Sequence, residues 1–194
     1  MALWKAGASD DKKFENPPPG SYGAVCIKVI DQGTQEVIWE GDKKMQRKVF
    51  IQWELDEKMT DGRPFVTGRK FTVSLHEKAT LRAFLKGWRG RDFTDAELEG
   101  FDPRKLIGAP CMLSLVQSGD YVNIASASKL PKGMTPLAPV NPTVYFSLEE
   151  FNKEVFDGLS NKMKEDIFKS PEYKTATSGG DVPDSAPFDD DISF

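Results

Sequence analysis

The stretch Val49-Phe50-Ile51-Gln52-Trp53-Glu54-Leu55 decides the fold class. Val49, Ile51, Trp53 and Leu55 alternate with Phe50, Gln52 and Glu54, so one set faces a core and the other faces away, as in a β-strand. Downstream, Phe71, Val73 and Leu75 alternate with Lys70, Thr72 and Ser74, and Asp61-Gly62 between the two runs fits a turn. Upstream, Val25, Ile27 and Val29 alternate with Cys26 and Lys28. Beyond Leu75 the period changes. Ser74 and Glu77 have capping-box spacing, and Leu81, Phe84, Leu85 and Trp88 fall on one helical face. An amphipathic helix is therefore predicted over residues 76–88. Thr94 and Glu97 form a second capping box, Asp102-Pro103 gives a third helical start, and Gly108 closes it. Strands return at Met112–Val116 and at Tyr121–Ser128, with the turn Ser118-Gly119-Asp120 between them.

The expected class is mainly β with helices. Three strands, a helical connection and two more strands is the order of a five-stranded OB-fold barrel, although five short strands also build other small barrels or a mixed sheet. Residues 20–133 make up this domain. Residues 1–19, ending in Pro17-Pro18-Pro19, carry no periodic pattern and are expected to form a flexible arm. Residues 134–174 are expected to be a proline-rich arm followed by helices that pack on the barrel. Ser147 and Glu150 have capping-box spacing, Leu148, Phe151, Val155, Phe156 and Leu159 can share one face, and a second short helix covers Lys162–Lys169. Residues 175–194, rich in Ser, Gly, Asp and Pro, are expected to be a disordered acidic tail.

With 39% hydrophobic and 29% charged residues the chain can build a core and stay soluble, and no apolar run approaches the length of a bilayer span. The first residues lack a secretion-signal layout, so a cytoplasmic location is expected. Cys26, Cys111 and His76 are too few for a four-ligand zinc site, and two buried, reduced thiols are expected instead. There is no phosphate-binding glycine loop, no nucleophile elbow and no convincing carboxylate pair. The expectation is a non-enzyme without catalytic residues, metal or cofactor. Charge is uneven along the chain: residues 20–133 sum to +3 and residues 134–194 to −7. That division separates a nucleic-acid surface from an acidic tail.

An OB barrel binds nucleic acid over strands two and three and the loops between strands one and two and between strands four and five. The first loop, read as Trp39 to Arg47, carries Trp39, Lys43, Lys44 and Arg47. Lys48, Phe50 and Gln52 lie on the outer face of strand two, Arg69 and Lys70 on strand three, and Tyr121 opens strand five. Aromatic rings stack on bases and cations follow phosphates. Each residue has a plainer reading. Trp39 can pack a hairpin, Phe50 can lie under the C-terminal helices, and the cations can be ordinary solvated charge. Trp53, Phe84 and Trp88 are expected in the core, and Arg89 and Arg91 either meet phosphate or cap a helix.

The chain ends Phe188-Asp189-Asp190-Asp191-Ile192-Ser193-Phe194. A terminal aromatic next to the free carboxylate suits a partner pocket that pairs an apolar floor with a cation. This ending resembles the acidic tip of bacterial single-stranded DNA-binding proteins, with Ser193 where that family has proline. The resemblance assigns Asp189, Asp190, Asp191, Ile192 and Phe194 to binding replication, recombination and repair proteins. Segments such as Val29–Thr34, Leu75–Lys78, Trp88–Gly90 and Leu130–Gly133 are similar to a family of bacteriophage replication proteins thought to bind single-stranded DNA. Together the resemblances imply a sequence-independent single-strand binder acting in an infected bacterial cell, and they leave homo-oligomers open. The alternative is a protein-interaction adaptor whose tail mimics the host tip.

Overall fold

The computed structural model describes residues 15–178. One six-stranded sheet is its frame: β1 (Gly20–Trp39), β2 (Asp42–Lys58), β3 (Pro64–Thr72), β4 (Pro110–Ser118), β5 (Tyr121–Ser128) and the short β6 (Val144–Phe146). Five α-helices accompany it: α1 (Thr80–Arg89), α2 (Asp95–Glu99), α3 (Lys153–Asp157), α4 (Asn161–Phe168) and α5 (Pro171–Thr177). The main path runs β3-β2-β1-β4-β5, all antiparallel, while β6 joins β1 in parallel. The sheet is open, with β3 and β5 at its edges, so a closed five-stranded barrel is not what the strand ladders form.

β1 is long because it changes partners. Gly20–Val25 pairs with β4, and after a bulge between Cys26 and Lys28, Lys28–Ile30 pairs with β6. A bulge adds twist and re-aims the strand. The β1–β2 pairing continues to Trp39 opposite Asp42. Only Glu40 and Gly41 turn the chain, with φ of 53° and 85°. Two left-handed residues match the twist of a two-residue hairpin. The segment expected as a loop from Trp39 to Arg47 is thus mostly strand, and the ribbon runs toward its tip well beyond the sequence reading.

Alternation places the two faces of β2 in different cores. Val49, Ile51, Trp53 and Leu55 meet Leu81, Phe84, Leu85 and Trp88 of α1 in the first core. The rings of Trp53 and Phe84 are 5.6 Å apart, and those of Trp53 and Trp88 5.5 Å. Cys26 and Cys111 are free thiols buried here, and burial pushes the Cys111 thiol up to about 12. A second core lies on the outer face: Ile30 and Phe146 pack with Leu148, Phe156, Leu159 and Ile167, and Phe50 lies against them. The C-terminal helices are therefore a cover for the sheet, as their apolar side requires.

Several local signals act differently from expectation. α1 starts at Thr80, four residues later than predicted. The Ser74 hydroxyl accepts from the His76 amide instead of closing a capping box, and Ala79 makes no side-chain cap. The box at Thr94 and Glu97 does form, and Asp102 caps the 3-10 turn Pro103–Leu106. Ser147 accepts from the Glu149 amide, and the helix waits for Asn152 to cap α3. β6 and α5 had no clear sequence signal. Glu54, 1% exposed, binds the proline-rich arm: its carboxylate accepts from the amides of Val140 and Asn141, both at 2.8 Å, and from the Asn141 side chain.

Candidate nucleic-acid interface

β2 is regular from Asp42 to Leu55, so its even-numbered residues share one face. In an antiparallel pair, opposed residues also share a face. Trp39 opposes Asp42, Val37 opposes Lys44 and Gln35 opposes Gln46. Trp39, Asp42, Lys44, Gln46 and Lys48 therefore share one strip, about 20 Å long at the rise of a strand, in which the Asp42 carboxylate stands beside the indole and the two lysines follow. Trp39 is 62% exposed, unusual for the largest apolar side chain. Lys43 lies on the opposite face with Ile38 and Met45 and pairs with Glu36 at 3.1 Å.

The strip runs into an open groove lined by Gln46, Lys48, Arg69, Lys70, His76 and Lys78. β2 and β3 supply the first four, and the loop before α1 supplies the last two. Lys48 donates to Gln46 Oε1 at 2.8 Å and to Thr72 Oγ1 at 2.7 Å, which fixes its ammonium over the groove floor. Burial first, and the charge of Lys70 second, lower its pKa from the ordinary lysine value. A site that disfavours its own positive charge gains by taking up an anion. Lys70 is tethered to Asp166 of α4 and so contributes less free charge. Arg69 reaches across to the other edge of the sheet: Nη1 donates to the Ile124 carbonyl at 3.0 Å, and the guanidinium sits 4.9 Å from the Phe71 ring.

The expected residues thus divide. Trp39, Lys44, Lys48, Arg69 and Lys70 fall on the strip or in the groove. Phe50 does not offer an open ring. It opposes Lys70, lies over Gly68 so closely that a Cβ there would come within 2.3 Å of it, and packs under the C-terminal helices. Arg47 is spoken for: it donates to both Asp31 oxygens and to Glu149 at 2.9 Å, which raises its pKa above the ordinary arginine value. Gln52 lies farther along, opposite Lys28 and Gly68. Tyr121 stands at the β4–β5 turn, 72% exposed, outside the lining of the groove. Arg89 and Arg91 both bind Glu97, so neither waits for phosphate. The tip residues Asp189, Asp190, Asp191, Ile192 and Phe194 lie outside the described residues.

Sequence reading missed Gln46, His76 and Lys78. The sequence pattern puts Gln46 in the loop between the first two strands and His76 and Lys78 at a helix start. The two-residue spacing of Lys44, Gln46 and Lys48 was the available signal, hidden because the ribbon was read as irregular. No helix among the described residues is long and apolar enough to cross a membrane. No protein-family model matches the chain, and no curated protein matches it.

Proposed function

We propose that this protein binds single-stranded DNA without reading its sequence, along the groove between β2 and β3 and outward over the Trp39 face of the ribbon. The observation that carries the reading is the strip itself. One exposed indole, then Lys44 and Lys48 at strand spacing, leads into a groove with four further cationic or imidazole side chains, Arg69, Lys70, His76 and Lys78, from β3 and the following loop. Bases stack on the ring while phosphates follow the ammonium groups, and neither contact depends on base identity.

The finer architecture we propose is an OB-type barrel. The strand order β3-β2-β1-β4-β5, with α1 between β3 and β4, and the Arg69 side chain spanning the two sheet edges support it. The terminal Asp189-Asp190-Asp191-Ile192-Ser193-Phe194 recruits replication and recombination proteins, on the strength of its resemblance to the bacterial tip. A role in bacteriophage DNA metabolism within the host cytoplasm follows from the same resemblance.

The adaptor reading draws on the other ribbon face, where Ile38 is 72% and Met45 60% exposed. Fluorescence anisotropy with labelled oligo-dT and a duplex of equal length, at low and physiological salt, separates the two. Tight single-strand binding that weakens with salt supports the first reading. No binding to either nucleic acid overturns it and leaves the adaptor. Deleting Asp189–Phe194 is expected to preserve or raise DNA affinity while abolishing partner capture.

A further inference from the structure

Next to the basic groove, on the other side of the β2–β3 backbone, lies a partly open cavity of about 250 Å³. On β2 the two spaces take alternate residues: Gln46 and Lys48 line the groove, and Arg47, Val49 and Ile51 line the cavity. Just past the end of β3, Val73 lines the cavity and Ser74 the groove. Only a thin ridge divides them, closed by the hydrogen bond from the Val73 amide to the Arg47 carbonyl at 2.8 Å. Val73 is 47% exposed on this ridge, although it is a large apolar residue. Inside, Leu81 and Leu85 of α1 face the half-buried rings of Phe101 and Tyr145. Polar groups gather at the rim: Asp31, Arg47, Ser147 and Glu149.

The rim is already ordered. Asp31 accepts from the amides of Gly33 and Leu148 and from Arg47, which fills its acceptor sites. The Ser147 hydroxyl accepts from the Glu149 amide. Arg47 spends three of its five donors on Asp31 and Glu149. Glu149 uses one oxygen for Arg47 and remains exposed. An acceptor and spare donors thus stand side by side above an apolar slot. An apolar cavity of roughly 150 Å³ holds a benzene ring, so this one has room for a larger planar ring.

We infer that the cavity receives one unstacked nucleobase from a strand lying in the groove. This rests on the proposed single-strand binding. The sugar and phosphate stay on the Lys48 side, the base alone passes over the Val73 ridge, and it enters between the aliphatic wall of α1 and the Tyr145 and Phe101 rings. Every base carries both a donor and an acceptor on its Watson–Crick edge. The Arg47–Glu149 pair therefore meets any of them, in keeping with binding that does not read sequence. The carboxylates at the rim also keep phosphate out, which fixes which end of the nucleotide enters.

The test is photo-crosslinking of the full chain to an oligo-dT in which single thymines are replaced by 5-iodouracil, with the linked peptides identified by mass spectrometry. Crosslinks to Tyr145 or Phe101, beside any at Trp39, are expected. Crosslinks confined to Trp39 and the groove, with the oligonucleotide tightly bound, overturn the cavity while leaving single-strand binding intact. Absence of oligonucleotide binding in a parallel anisotropy titration removes the proposed function first. A filled cavity gives the second arm. Val49→Phe, with its fold checked by circular dichroism and thermal melting, is expected to lose the Tyr145 crosslink and to weaken oligo-dT binding roughly tenfold, the scale of one lost stacking contact. Unchanged affinity and crosslinking in a folded Val49→Phe protein would sink the inference.

Discussion

The two ends of the β1–β2 ribbon are built from the same pair of strands and are treated oppositely. At the base both faces are covered: Ile51 and Trp53 by α1, Ile30 and Phe50 by α3–α5, and Glu54 by the proline-rich arm. At the tip neither face is covered, and Ile38, Trp39 and Met45 stand in solvent. The base carries stability and the tip contributes little to it. A bare two-stranded ribbon with an exposed indole has apolar surface to offer a ligand, whereas the same residue types at the base have already spent theirs on the fold.

The largest effect expected from this contrast is at the base. Trp53→Ala should cost about 3–5 kcal/mol, read from the urea midpoint, because a fully buried aromatic leaves a cavity. Trp53→Phe should cost far less, since the indole N–H it removes has no hydrogen-bond partner among the described residues. Equal losses for the two would show that the indole edge matters more than the ring volume. Next comes Glu54→Ala, expected to cost about 1–3 kcal/mol by removing the buried carboxylate that holds the Val140 and Asn141 donors of the arm. Protease sensitivity should rise at residues 136–143 in that variant. An unchanged melting temperature would mean that the arm is held by other contacts.

The paired substitution Phe50→Ala and Trp39→Ala breaks or sharpens the comparison most directly. Phe50→Ala should lower stability by about 2–3 kcal/mol, as a half-buried ring under helices, with DNA affinity per folded molecule nearly unchanged. Trp39→Ala should leave stability within about 0.5 kcal/mol and weaken oligo-dT binding by about 1–3 kcal/mol. Reversal of these two outcomes would return Phe50 to the interface and make Trp39 a packing residue.

The smallest effect concerns acid. Hydrogen bonds from Arg91 and from the Thr94 amide hold the Glu97 carboxyl at about 2, below its usual 4.5. A carboxyl whose folded pKa is depressed contributes stability above its unfolded pKa, and that contribution disappears as pH falls through the folded value. The local α1–α2 junction should therefore loosen between pH 4.5 and about 2. Glu97→Gln should flatten this part of the stability-against-pH curve. A curve of the same slope in the variant would place the acid response elsewhere.

Much of this was legible in the residues. Period-two alternation at 49–55 gave β2 and its core face, and the positions of Leu81, Phe84, Leu85 and Trp88 gave α1, because burying one face imposes a repeat that sequence must carry. The turn at Ser118-Gly119-Asp120 and the cap at Thr94 and Glu97 were equally plain, being local hydrogen-bonding chemistry. β5 was found to the residue. The misplaced start of α1 shows the limit of local signals: Ser74 and Glu77 had the right spacing, but Ser74 found the His76 amide at shorter range.

Of the candidate site, the sequence identified Trp39, Lys44, Lys48, Arg69 and Lys70 as residue types suited to a nucleic-acid strand. It could not say which were free. Arg47 and Lys48 are neighbours with the same charge, yet one is locked by Asp31 and Glu149 and the other stands over the groove. Asp31, Glu149 and Asp166 are 16, 102 and 96 residues away from the cations they bind, and no periodicity records partners so remote. The alternation of β2 told which side chains share a face. Whether that face met solvent or a helix depended on where residues 144–177 returned to the sheet, a choice set by how much apolar area the C-terminal helices bury there.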